Sequence, residues 1–187
     1  MGKLIISEHI SIDGFVGGPK GEMDWIGFND ELFDFVGAFT QTANTALYGR
    51  KTFEMMDAYW PTAAKEENAT KHAREHSAWY NRVNKLVLSN TMVGKDRDKL
   101  RFINEGMLQE VSDAKQKGNV MLFGSPSTVH TLFAHNLVDE IYLFVNPVLL
   151  GNGIPLFKGI NEQQNWKPEG NRFFERCNVL CVHYSKP

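Results

Sequence analysis

One local pattern constrains this 187-residue sequence more than any other. A short apolar run stops at glycine or a small polar residue, and a helix-compatible segment follows. Thr45-Ala46-Leu47-Tyr48 stops at Gly49 and passes through Arg50-Lys51-Thr52 into Phe53-Glu54-Met55-Met56. Asn119 to Phe123 stops at Gly124 and passes through Ser125-Pro126-Ser127-Thr128 into a helix predicted over Val129–His135. Lys85-Leu86-Val87-Leu88-Ser89 ends the same way, at Asn90-Thr91. Apolar runs without polar alternation are strands covered on both faces, the signature of a parallel sheet between helices.

The flanking segments fit that frame. Lys3 to Ile12 reads as a strand that Asp13-Gly14 ends. Phe15 to Gly21, with Gly17, Gly18, Pro19 and Gly21, reads as a mobile loop closed by Met23-Asp24-Trp25. A helix runs from Asn29 or Asp30 to about Thr42, with Leu32, Phe33, Val36 and Phe39 on one face. Trp60-Pro61 ends the helix after Thr52, and Ala63 to Tyr80 is polar and helix-prone. Leu100–Ile103 is a short strand. Glu105 to Gly118 is a helix with Lys115, Lys117 and Gly118 as its C-terminal signature. Asp139–Val145 is a strand, and Phe173–Glu175 with Asn178–Tyr184 form a closing antiparallel pair with no helix between. The expected architecture is therefore one α/β domain over residues 1–187, with a mostly parallel sheet, helices on both faces and an antiparallel C-terminal edge.

Composition narrows the function classes. A hydrophobic content of 42% and an aromatic content of 12% suit a globular core, and a net charge of −2 gives no bulk attraction to nucleic acid or membrane. No run approaches the roughly 18 apolar residues of a spanning helix. The first residues turn polar too early for a signal peptide, so a cytoplasmic setting is expected. Cys177 and Cys181 are too few for a disulfide scaffold and read as small core residues on one strand face.

Several residues carry possible chemistry. Glycine and hydroxyls at a helix start, with Arg50 and Lys51 beside them, suit a phosphate group. Ligands of open parallel sheets bind at the carboxyl ends of the strands, which would bring Gly49, Ser89 and Gly124 together. Neither GxxxxGK[ST] nor GxGxxG occurs, and Gly151-Asn152-Gly153 runs into Ile-Pro rather than a helix. His72-Ala73-Arg74-Glu75-His76 has the spacing of a zinc pair but no evident third ligand, and a surface helix explains it better. His130 and His135 do not share a helical face, and His9 and His183 read as packing residues in strands. Asp13, Asp24 and Asp30 surround the glycine-rich loop; each is either a pocket acid or, for Asp30 above all, a helix cap. Trp25 and Trp60 read as pocket wall or core.

Five motifs in order resemble one family. They are Ser11-Ile12-Asp13-Gly14-Phe15-Val16, Gly49-Arg50-Lys51-Thr52-Phe53, Val87-Leu88-Ser89, Leu122-Phe123-Gly124-Ser125, and Val138 to Ile141 with Pro147 to Gly153. Together they look like dihydrofolate reductase, and more closely like the dihydrofolate-reductase-like domain of the riboflavin-biosynthesis deaminase–reductase. The resemblance implies a dihydrofolate-reductase-like three-layer fold, NADPH as cofactor, and hydride transfer to a small pteridine- or pyrimidine-like heterocycle. It also implies a homodimer. Gly49, Arg50, Lys51 and Thr52 would meet the diphosphate and the 2′-phosphate, and Leu88, Ser89 and Asn90 would flank that 2′-phosphate. Phe123, Gly124, Ser125, Pro126, Ser127 and Thr128 would hold the diphosphate near the nicotinamide. Phe15, Trp25 and Asp30 would border the substrate, with Asp30, then Asp13, as the acid that orients the ring or relays a proton. Gly124-Ser125-Pro126 departs from the glycine run of dihydrofolate reductase, and no deaminase zinc motif is present. The competing expectation is a nucleotide- or pterin-binding protein of the same fold without turnover.

Overall fold

A computed structural model describes residues 1–160 and 162–187. Eight strands form one sheet in the order β5-β4-β3-β6-β1-β7-β10-β9. The six from β5 (Leu100–Ile103) through β4 (Asn84–Leu88), β3 (Ala43–Gly49), β6 (Asn119–Phe123) and β1 (Leu4–Ser11) to β7 (Glu140–Asn146) are parallel. β10 (Val179–Ser185) and β9 (Lys167–Phe174) add the antiparallel edge. The fold class is α/β, with the mostly parallel sheet, helices on both faces and antiparallel C-terminal edge that the strand–helix alternation predicts.

Strand β1 shows why the sheet is covered on both faces. Its side chains alternate, and both sets are apolar at the start of the strand. Leu4, Ile6 and Ile10 pack under α4 (Met107–Lys117) and α5 (Pro126–Ala134), which contribute Val111, Val129 and Leu132. Ile5 points the other way, into a cluster with Phe53 of α2 (Arg50–Tyr59) and Trp79 and Tyr80 of α3 (Lys71–Arg82). Helix α1 (Asp30–Thr40) covers the C-terminal part of that second face, where Leu32 meets Phe144, Phe174 and Cys181.

The structure departs from the sequence reading at several places, each with a local cause. Phe15–Gly17 is a short strand, β2, paired with β8 (Ile154–Pro155) instead of a free loop. The Asp13 carboxylate anchors it, accepting from Ser11 Oγ at 2.6 Å and from the Gly151 amide at 2.7 Å. The helix-prone stretch from Ala63 divides into a 3-10 turn at Ala63–Lys65 and α3, because Thr70 caps a new start by accepting from Ala73 N at 3.1 Å. Strand β9 begins at Lys167, well before Phe173, and a 3-10 turn at Glu175–Cys177 separates it from β10. Cys177 therefore lies in that turn, and only Cys181 is a buried strand residue. Helix α5 starts at Pro126, ahead of Val129, because proline fits the first helical position.

Candidate functional site

The carboxyl ends of β3, β4 and β6 open into a cavity of about 690 Å³. Gly49, Arg50, Lys51 and Thr52 line it from the start of α2, and Leu88, Ser89 and Asn90 from the end of β4. Ser125, Pro126, Ser127 and Thr128 close it from α5. The two strand–turn–helix units thus meet at one place. Phe123 and Gly124 do not line the cavity: Phe123 packs in the core against Tyr48, their ring centroids 5.9 Å apart.

The two turns interlock, and this explains both glycines. A Cβ on Gly49 would stand 1.9 Å from Ser125 Oγ, and one on Gly124 would stand 2.9 Å from Thr52 Oγ1. Each glycine leaves the space that the other turn's hydroxyl fills. Gly124 and Ser125 take φ of 61° and 67°, so the chain leaves β6 through two successive left-handed residues. That conformation costs a serine about 1 kcal/mol or more and is held by its surroundings.

Helix capping divides the molecule in a way that points to the cavity. Helices α1 and α3 carry side-chain caps: Asn29 Oδ1 accepts from Leu32 N at 2.9 Å, and Thr70 serves α3. Helices α2, α4 and α5 carry none, and all three begin at the cavity, α4 through Asn104 and Met107. At α5 the Ser125 hydroxyl lies 2.9 Å from Thr128 Oγ1 rather than on a backbone amide. Uncapped first turns present free N–H groups and the positive ends of their dipoles. Among the described residues lining the cavity, the charged side chains are Arg50 and Lys51, and no carboxylate is present. Arg50 itself pairs with Glu54 one turn along, at 2.9 Å, in a largely exposed ion pair. These are the elements a phosphate-bearing ligand requires: amides, hydroxyls, cations and no opposing acid.

The acids around the loop stand elsewhere. Asp30 is the first residue of α1 and is exposed; Asn29, not Asp30, caps the helix. Asp13 is exposed too, and its hydrogen bond from Ser11 and those from the Gly151 and Leu150 amides hold its carboxyl below the usual range. Asp24 is exposed. Phe15 and Trp25 are half-buried, and Trp25 Nε1 donates to the Glu22 carbonyl at 3.0 Å.

The histidine pair on α3 is not a surface feature. His76 is buried against Trp60, their ring centroids 4.1 Å apart, and burial pushes its pKa down to about 3. His72 stacks on Phe33 at 4.0 Å. Among the described residues, no group of three or more His, Cys, Asp and Glu side chains is placed to hold a metal ion. His130 and His135 pair with carbonyls, those of Pro155 and Thr131. His183 stacks on Tyr142 at 3.9 Å.

Sequence reasoning passed over Glu8. It lies in β1 on the same face as Leu4, Ile6 and Ile10 and is 8% exposed. Its Oε1 has no hydrogen-bond partner among the described residues, and burial raises its pKa to about 8, with the Gly124 amide pulling the other way. The signal was visible as a lone acid in phase with three aliphatic residues. Gly124 connects Glu8 to the turn beside the cavity.

Known proteins match this architecture along its whole length. The RibD C-terminal domain family matches residues 2–180. The uncharacterized protein YyaP of Bacillus subtilis (strain 168) is 32% identical over 192 residues, covering 97% of this chain and 94% of YyaP. Among solved structures, a Shewanella sp. PV-4 protein assigned to riboflavin biosynthesis superposes with a TM-score of 0.75 at 21% identity, over 99% of both chains. Dihydrofolate reductase from Enterococcus faecalis, complexed with NADP(H), superposes with a TM-score of 0.62 at 15% identity, over 98% of this chain and 95% of that one. Among the described residues, no helix is long and apolar enough to cross a membrane. With its matching motifs, sheet order and strand-end cavity, the chain belongs to the RibD C-terminal domain family.

Proposed function

We propose that the chain, as one domain, is an NADPH-dependent reductase that passes hydride to a small pteridine- or pyrimidine-like heterocycle. The observation that carries this reading is the convergence of three uncapped helix starts on a cavity whose charged lining is cationic. Its volume lies within the range of about 300–1,000 Å³ typical of cofactor pockets. Family membership and the NADP(H) bound by the Enterococcus reductase of the same fold support the choice of nucleotide. Bound NADPH supplies the hydride.

The protein's own groups bind and orient. The first amides of α2 and α5, with Thr52, Ser125 and Thr128, hold the diphosphate; in this reading Gly49 and Gly124 let the two turns close on it. Arg50 and Lys51 hold the 2′-phosphate, with Ser89 and Asn90 beside it. Leu88 and Pro126 supply apolar wall. Asp30, Phe15 and Trp25 border the heterocycle, and Asp30 orients its ring. Asp13 serves this site by fixing β2 against the Leu150–Gly151 loop. A homodimer in the cytoplasm completes the reading.

The test is NADPH oxidation, followed by nicotinamide absorbance, against a panel of pteridines and ribosylaminopyrimidines. Steady turnover with one of them supports the reductase. Tight NADPH binding with no oxidation by any of them supports a binding protein of this fold. Absence of NADPH binding refutes the reductase and the nucleotide-binding protein, and leaves a pterin-binding protein of this fold.

A further inference from the structure

A carboxyl group costs stability where Glu8 stands. Strand alternation puts it on the face of β1 that holds Leu4, Ile6 and Ile10, which pack against Val129 and Leu132 of α5. Only 8% of the residue is exposed, and its Oε1 has no hydrogen-bond partner among the described residues. A glutamine or methionine of similar volume fills such a place without an ionisable group. A fold that keeps the costlier group breaks a local rule, and such breaks are expected at functional sites.

No charged side chain among the described residues compensates this acid. Strands β1 and β6 pair in register up to Ser7 opposite Phe123, so Glu8 is level with Gly124, and on its other side it lies opposite Leu143 of β7. Neither β6 nor β2 carries a titratable side chain. On β7, Glu140 pairs with Lys3 near the opposite end of the sheet, and Tyr142 stacks on His183. On α5, His130 and His135 are engaged with the Pro155 and Thr131 carbonyls. On α4, Lys115 pairs with Asp139, Glu110 with Arg101 and Asp113 with Gln109, and Lys117 is exposed. His9 turns to the other face of β1, stacked on Phe144, with its Nδ1 3.3 Å from Asn146 Nδ2. Besides its burial, what acts on the Glu8 carboxyl is the Gly124 amide.

Gly124 joins that acid to the cavity. It and Ser125 are the two left-handed residues through which the chain leaves β6 for the uncapped start of α5. A Cβ on Gly124 would meet Thr52 Oγ1, and Ser125 Oγ fills the space left by Gly49. Thr52 and Ser125 both line the cavity; Glu8 does not. The carboxyl therefore meets the turn from the core while the hydroxyls meet the cavity. In its neutral form it leaves the positive end of α5 to the cavity. Ionised, it puts a negative charge at that helix start, which satisfies the dipole from the wrong side and repels an anion on the other.

We propose that Glu8 is a positioning residue for the cofactor diphosphate: neutral, it leaves the Gly124–Ser125 turn and the start of α5 to hold the diphosphate, and its ionisation opposes that binding. This role rests on the NADPH reading above. Linkage is reciprocal, so bound NADPH strengthens the hold of Glu8 on its proton. Cofactor that binds above about pH 8, where the free protein has lost this proton, brings one back from solvent.

Infrared spectroscopy of the free protein reads the acid directly. A neutral-carboxyl band should be present at neutral pH, fade through about pH 8 and be missing from Glu8→Gln; a wild type without that band overturns the proposal. Amide NMR then follows the turn. The Gly124 and Ser125 amides should move with this titration in the wild type and stay in place in Glu8→Gln, and equal behaviour of the two proteins overturns the coupling. NADPH titrations complete the test. From about pH 7 to about pH 9.5 the wild type should lose about tenfold in affinity relative to Glu8→Gln and to Glu8→Met, neither of which can ionise. A side chain that serves packing alone would change affinity by the same factor at every pH, so parallel pH profiles overturn the proposal. If NADPH moves no cavity amide at any pH, the NADPH reading has failed and this role falls with it, even where the turn titrates with Glu8.

Discussion

Replacing Glu8 by glutamine should make the protein more stable at neutral pH, and the gain should depend on pH in a defined way. Glutamine has nearly the same shape and cannot ionise. In the folded chain the Glu8 carboxyl keeps its proton up to about pH 8, whereas its ordinary value is 4.5. Below pH 4.5 both folded and unfolded chains hold the proton, so the site does not make stability depend on pH. Between 4.5 and 8 only the folded chain holds it, unfolding releases it, and rising pH favours the unfolded state. Above pH 8 both states are ionised and the penalty is constant. At about 1.4 kcal/mol per pH unit, the wild type loses about 3 kcal/mol at this site between pH 4.5 and 7. The glutamine variant has no such loss. The unpartnered amide that replaces the unpartnered Oε1 adds an offset that does not vary with pH. Urea unfolding of both proteins across this range measures the difference, and every other titrating group cancels in the comparison. The stability gap should widen by about 3 kcal/mol from pH 4.5 to pH 7 and level off above pH 8. A gap that stays constant with pH would show that Glu8 is not a buried neutral acid.

Other expectations concern the cavity and the loop. Arg50→Ala should weaken NADPH by about tenfold or more through a lost charge-assisted contact, while NADH, which lacks the 2′-phosphate, loses little; equal losses refute the 2′-phosphate role. Gly49→Ala forces a methyl group to within 1.9 Å of Ser125 Oγ, so thermal unfolding should show a loss of about 1–3 kcal/mol together with weaker NADPH binding. Unchanged stability and affinity would mean that the turns are not interlocked. Asp30→Asn should lower turnover and spare NADPH affinity in direct titration; unchanged turnover leaves Asp30 as only an exposed first-turn residue of α1.

The parts of the fold legible in the sequence are those where burial alone dictates residue type. Strands β3, β4 and β6 are covered on both faces, so their residues are apolar in unbroken runs, and their ends at Gly49, Leu88 and Phe123 could be read directly. Those ends also carry the candidate cavity, which is why most of its lining was accessible from the sequence. Strand β9 was not legible beyond Phe173 and Phe174, because Lys167-Pro168-Glu169-Gly170-Asn171-Arg172 faces solvent and is a strand only through the β10 backbone. Strand β2 was missed for a similar reason: three residues held by Asp13 across a sequence gap of more than a hundred residues leave no local pattern. The burial of His76 depends on Trp60 folding back over α3, and the partnership of His9 with Asn146 joins strands far apart in sequence. Spacing rules carry no information about contacts of that kind.

The composition that hid β9 has a consequence for the protein in concentrated solution. This strand is one of the two edges of the sheet, a row of backbone groups able to template another chain. Pro168 interrupts the row because it offers no N–H, and the irregularity between His183 and Tyr184 bends the rim locally. Lys167 and Glu169, paired at 2.9 Å, and Arg172, paired with Glu31 at 2.8 Å, place charge along the same rim. A second chain adding there would have to desolvate those charges and leave a carbonyl without a partner. The residues that look least like a strand are therefore the ones that keep the sheet from growing at this edge.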